Sequence, residues 1–127
     1  MSTNRTVESP ATRDSVPAID AQRLLDSCMG HSVFAILLLR EFAETADCRI
    51  AEFELQSNHR DMQAVSELAH SLRGEAGIIG ANALHEISRN LEMACQDPNV
   101  ELAAELNSLY LELQRVQDSI PQVCARL

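Results

Sequence analysis

His70, Arg73, Gly74 and Gly77 are the residues of this chain whose types and spacing could do chemistry. Around them Val65, Leu68, Leu72, Ala76 and Ile79 recur at helical spacing. On a wheel of roughly 100° per residue these five fall within roughly 80° of one another. His70 lies nearly opposite the centre of that cluster and so faces solvent, with Ser66, Glu67, Arg73, Gly74 and Gly77 on its own face. A neutral imidazole is a nucleophile near pH 7. Arg73, one turn along, is a permanent cation whose planar donors fit phosphate oxygens. Gly74 and Gly77 each cost a helix about 1 kcal/mol relative to Ala, a cost without purpose on a plain solvent face. Beside a histidine, missing side chains clear space for another backbone or a phosphoryl group. The set suits a histidine that carries phosphate. A metal site is disfavoured, because no His or Cys stands four residues from His70. The other histidines, His31, His59 and His85, show no ligand spacing and are expected at the surface.

The elements that must position this face are helical. After a tail rich in Ser, Thr, Asn and Arg, the only Gly and Pro are Gly30, Gly74, Gly77, Gly80, Pro98 and Pro121, too few for a β-sandwich or barrel. A short first helix is predicted over Ala21 to Met29, stopped by Gly30. The second runs from about His31 to Gln56 on a stripe of Phe34, Leu38, Phe42, Thr45 or Ala46, Ile50 and Phe53. Asp61 caps the third, which runs from Met62 to Ile79 and ends at Gly80. The fourth spans Ala81 to about Gln96, with Leu84, Ile87, Leu91 and Cys95 on one face. Asp97-Pro98 reads as the start of the fifth, whose stripe is Ala103, Leu106, Tyr110, Leu113, Gln117, Ile120 and Cys124. The expected fold is all-α, an antiparallel four-helix bundle with a short N-terminal capping helix. Residues 1–17 form a tail without periodicity, expected to be disordered, and residues 18–127 form the domain.

Composition excludes several alternatives. Nineteen acidic against ten basic residues, a formal charge of −9, argue against nucleic acid and against an anionic membrane surface. All ten basic residues are Arg, so lysine chemistry is absent. No apolar run is long enough to span a bilayer, and the first 17 residues lack the apolar stretch of a secretory signal. Cys28, Cys48, Cys95 and Cys124 form no CxxC pair and read as small apolar residues in a reducing cytoplasm.

The run His70-Ser71-Leu72-Arg73-Gly74-Glu75-Ala76-Gly77-Ile78-Ile79-Gly80-Ala81, followed by Leu84, closely resembles the signature of histidine-containing phosphotransfer (HPt) domains. That signature reads His-x-Leu-Lys/Arg-Gly, two small residues, a variable pair, an aliphatic, then Gly-Ala and a Leu three on. The resemblance extends from about Ile19 to Leu127, taking in the Leu24-Leu25-Asp26 opening and the Phe42-containing second helix. It implies a four-helix bundle with the histidine on the third helix, in agreement with the reading above. It also implies that a Gln or Glu 22 residues beyond the histidine, here Glu92, hydrogen-bonds the ring. A carboxylate accepting from Nδ1–H leaves the Nε2 lone pair free. Arg73 replaces the more usual Lys and keeps the charge. Glu75 departs from the small residue usual at its position; it flanks the site and is expected to disfavour bound phosphate slightly.

The resemblance implies a phosphorelay intermediate of two-component signalling. His70 takes a phosphoryl group from an aspartyl phosphate on a response-regulator receiver domain and passes it to another receiver, with a hybrid sensor histidine kinase upstream. No clustered carboxylates hold a metal here, so no cofactor is expected and Mg²⁺ should come with the receiver. The chain has no nucleotide-binding loop and is expected to carry phosphate without kinase activity of its own. Ile36, Leu37 and Leu39, with Ile78 on the third helix, widen the apolar surface and suggest either a docking patch or packing against the first helix. The expected protein is a cytoplasmic monomer, and Met1 with a short tail suggests a free-standing module. The alternative is a helical adaptor that binds receivers or a kinase without carrying phosphate.

Overall fold

A computed structural model describes residues 16–127. The expected tail lies mostly outside them. Five helices follow in chain order: α1 (Ala21–Ser27), α2 (Ser32–Asn58), α3 (Met62–Ile79), α4 (Asn82–Ala94) and α5 (Ala103–Arg126). Helix α3 packs on α2 and α4, and α5 closes the ring against α2 and α4. This is an antiparallel four-helix bundle, and α1 covers α3 and α2 at one end.

Helix α3 has both ends fixed locally. The Asp61 carboxylate accepts from the Ala64 amide at 3.0 Å, satisfying one of the amides that a helix start leaves without a partner. Gly80 ends the helix at φ 78°, and the Ala81 amide donates back to the Ala76 carbonyl at 2.9 Å, a Schellman closure. The same glycine anchors the entry to α1. The Asp20 amide donates to the Gly80 carbonyl at 2.8 Å, and a Cβ on Gly80 would lie 2.5 Å from the Asp20 carbonyl oxygen. The core side of α3 is Val65, Ala69, Leu72, Ala76 and Ile79, all buried. Leu68, expected in that stripe, is half-buried at its edge, and Ala69 stands nearer the centre.

Elsewhere the helices are rotated slightly from their predicted stripes. In α2 the buried line is Ala35, Leu39, Phe42, Ala46 and Phe53. Phe34 is 53% exposed, while Leu39, expected on the outer patch, is fully buried. In α4 the core line is Leu84, Ser88, Leu91 and Cys95, and Ile87 sits at its margin. Helix α5 carries a regular heptad line of Leu106, Leu109, Leu113, Val116, Ile120 and Val123. Tyr110, Gln117 and Cys124 flank it, and the Gln117 amide donates to the Ala43 carbonyl at 3.0 Å. Glu112 is buried on α5 and is held by Arg115, whose Nε and Nη2 donate to its two oxygens at 3.1 and 2.9 Å. Nη1 of that arginine donates to the Val16 carbonyl at 2.8 Å and ties the chain ahead of α1 to α5.

Asp97-Pro98 does not begin α5. The Asp97 side chain accepts from the Asn99 amide at 3.0 Å, and the Val100 amide closes on the Asp97 carbonyl at 3.1 Å. With Pro at its second position this is a β-turn. The helix starts five residues later, at Ala103.

Candidate functional site

The short Gly80-Ala81 connection makes α3 and α4 an antiparallel pair whose register is set by distance from the turn. His70 and Glu92 stand eleven residues either side of Ala81, and Gly77 and His85 stand four either side. Both pairs meet in the structure. The His70 Nδ1 lies 2.9 Å from Glu92 Oε2. Arg73 Nη1 lies 3.5 Å from Glu92 Oε1, and its Nη2 lies 3.1 Å from His70 Nδ1. The site is half open: the His70 side chain is 62% exposed and that of Glu92 is 24% exposed.

Proton accounting fixes the roles. A carboxylate only accepts, so the bond to Glu92 requires the proton on Nδ1. Nδ1 then has no lone pair for the guanidinium, which sits beside it as the counter-charge to Glu92. In the neutral ring Nε2 then carries the free lone pair. Burial, and then the Glu92 carboxylate, push the Cys95 thiol above its ordinary range. The thiol one turn beyond Glu92 is therefore held protonated and unreactive.

The two glycines divide. A Cβ on Gly74 would meet nothing within 4 Å, so the helix surface one turn beyond His70 is open. A Cβ on Gly77 would lie 3.4 Å from His85 Nδ1. The space at Gly77 is thus occupied from within the bundle, by the His85 ring. His85 is half-buried, and its Nδ1 donates to the Arg73 carbonyl at 3.0 Å. It is not the free surface histidine expected from spacing alone. His31 and His59 are exposed, at the start and end of α2.

Glu75 turns toward α2 and pairs with Arg49. Arg49 lies over the Phe42 ring, 5.6 Å from its centroid. The pair borders a groove of about 210 Å³ with Leu38, Phe42, Ile78 and Ile79. Glu75 therefore brings its own counter-ion. Of the apolar surface expected on the second helix and at Ile78, Leu37 and Ile78 are exposed and Leu39 is not, and other residues extend it. Met29, Val33, Phe34 and Leu37 are exposed, as is Ile78 on α3, while Ile36 is half-buried. Among the described residues no three His, Cys, Asp or Glu side chains cluster as metal ligands, and no helix is long and apolar enough to cross a membrane.

The family model described as "Hpt domain" matches residues 37–125. No curated protein matches the chain. Among solved structures the chain is similar to histidine-containing phosphotransfer protein B from Pseudomonas aeruginosa PAO1, at 23% identity and a TM-score of 0.78 over 89% of this chain and 99% of that one. It is similar also to the HPT domain of the Hpt sensor hybrid histidine kinase from Shewanella, at 20% identity and a TM-score of 0.76 over 87% of this chain and 96% of that one.

Proposed function

The chain belongs to the Hpt domain family, phosphotransfer carriers in two-component phosphorelays, and we propose that His70 is the residue on which it carries the phosphoryl group. The observation that supports this most directly is an imidazole 62% exposed whose Nδ1 is bonded to Glu92 at 2.9 Å. That bond holds the ring in the tautomer with a nucleophilic Nε2 and aims it outward.

In this reading His70 Nε2 attacks the phosphorus of an aspartyl phosphate on a receiver domain. The N–P bond forms as the P–O bond to the aspartate breaks, and the aspartate leaves as a carboxylate. The ring gains positive charge as the bond forms, and Glu92 offsets it through Nδ1–H. Arg73 is released from beside Nδ1 to meet the phosphoryl oxygens. Transfer to a second receiver is the same step reversed. Positioning and charge neutralisation supply most of such catalysis, and we assign the Mg²⁺ that assists to the receiver. Gly74 leaves the approach to Nε2 open. The exposed apolar residues Val33, Phe34, Leu37 and Ile78 are where we place the receiver. The phosphate is taken to arrive from a receiver of a hybrid sensor histidine kinase, and this chain is taken to have no kinase activity.

Incubation of the full chain with phosphorylated receiver domains and Mg²⁺ tests the proposal. Wild type should acquire acid-labile, alkali-stable phosphate and His70→Gln none, with folding unchanged. Phosphate acceptance by His70→Gln would overturn the assignment.

A further inference from the structure

On α3 and α4 the same residue, Arg73, is held twice from the neighbouring helix. Its side chain faces Glu92, and its main-chain oxygen accepts from His85 Nδ1 at 3.0 Å. His85 and Glu92 stand seven residues, two helical turns, apart on α4. The upper tie, at Glu92, is the hydrogen bond that sets the His70 tautomer. The lower tie, at His85, lies against Gly77: a Cβ there would meet the ring in van der Waals contact at 3.4 Å, so any side chain longer than a methyl has to displace it. A carbonyl only accepts, so His85 carries its proton on Nδ1. The Arg73 carbonyl, inside a helix, is also the ordinary acceptor of the Gly77 amide. The His85 bond is therefore an addition to the helix and not a requirement of it.

We propose that His85 is a positioning residue for His70: by fixing α4 to the α3 backbone at Arg73, it sets the register in which Glu92 meets His70 Nδ1. The proposal builds on the reading of His70 as the phosphoryl carrier. Register matters because His70 meets Glu92 through a single bond of 2.9 Å at a half-open surface. Moving the two groups 1 Å apart along that bond takes it out of hydrogen-bonding range, and misplacement on that scale can cost a reaction about a hundred-fold. Neither helix has other polar ties across this face. Ser88, midway between His85 and Glu92, is buried with its hydroxyl lacking a hydrogen-bond partner.

The experiment uses the full chain with ¹⁵N-labelled histidine and reads ring tautomers from two-bond ¹H–¹⁵N couplings, without any partner. In wild type, His70 and His85 should both be mainly Nδ1–H. In His85→Ala the Nδ1–H to Nε2–H ratio of His70 should fall about three-fold or more. In His85→Gln, whose amide can donate to the same carbonyl, it should return toward wild type. Gly77→Leu, which displaces the ring while leaving α4 unaltered, should act like His85→Ala and serves if that variant does not fold. With a phosphorylated receiver, His85→Ala should lower kcat by a similar factor and leave KM unchanged. An unaltered His70 tautomer ratio in His85→Ala and Gly77→Leu overturns the proposal, as does a fall in stability with normal tautomer and kcat. If wild type accepts no phosphate yet the tautomer shift occurs, the carrier reading fails and the positioning role stands. If His70 is phosphorylated but indifferent to His85, the positioning role alone fails.

Discussion

Replacing Glu92 isolates what the carboxylate does for His70. In Glu92→Ala the Nδ1–H bond at 2.9 Å is lost. Hydrogen bonds to charged groups contribute about 1.5–3 kcal/mol and neutral ones about 0.5–1.5 kcal/mol. The ring is 62% exposed, so water replaces part of the loss and the lower end applies, about 1.5 kcal/mol. That is about a ten-fold change in tautomer ratio. Arg73 Nη2, already 3.1 Å from Nδ1, becomes free to donate to it and pushes in the same direction, toward Nε2–H. The nucleophilic fraction falls, and the transfer rate should fall with it by up to about ten-fold. Glu92→Gln keeps an acceptor and loses only the charge, so about two- to five-fold is expected. The assay is quenched-flow transfer from a phosphorylated receiver, read beside the His70 tautomer ratio in the same variants. A Glu92→Ala rate equal to wild type, or a rate loss with the tautomer ratio unmoved, would refute the reasoning.

Three further outcomes follow from the geometry. Gly80→Ala places a side chain at φ 78° and 2.5 Å from the Asp20 carbonyl, so it should cost about 2–4 kcal/mol in denaturant unfolding; a loss within about 0.5 kcal/mol would contradict the packing of α1 against α3. Glu75→Ala should raise the share of phosphate on the histidine by no more than about two-fold and Arg49→Ala should lower it equally, both effects shrinking with salt. The Arg49/Glu75 double variant should return to wild type, and a double variant displaced as far as either single one would show that the pair acts through partner contacts. Alkylation by a neutral thiol reagent should reach exposed Cys48 first and Cys95 far more slowly, because burial and Glu92 hold the Cys95 thiol protonated; a faster rate at Cys95, mapped by mass spectrometry, would contradict this.

Helix α3 was the most legible part of the chain because its determinants are local. Asp61 and Gly80 mark its ends, and the exposure of His70 beside Arg73 follows from a wheel. Glu92 was reached through the family signature, yet the turn at Gly80-Ala81 offered a physical route, since residues equidistant from a tight helical hairpin face each other. The same symmetry pairs Gly77 with His85. A search by metal-ligand spacing passes over that pair, because the partner there is a backbone carbonyl. In α2 and α5 the predicted stripes hold at Phe42, Ala46, Phe53, Leu106, Leu113 and Ile120 and fall one position off at others, mostly where two adjacent apolar residues compete. Leu109 and Tyr110 satisfy helical spacing equally well, and only packing against the other helices decides. The buried Glu112 was beyond sequence reading. Arg115 is a local partner at three residues, but the Val16 carbonyl that completes the network is 99 residues away.

Locating the phosphoryl group on the wild-type chain tests the central claim most directly. After transfer from a phosphorylated receiver, ³¹P-coupled NMR of the histidine-labelled protein, with fragment mass spectrometry under alkaline conditions, identifies both the residue and the ring nitrogen. The account predicts one phosphohistidine, at His70, joined through Nε2 with Nδ1 still protonated. Phosphate on Nδ1 of that ring, on His31, His59 or His85, or on no histidine at all would contradict it.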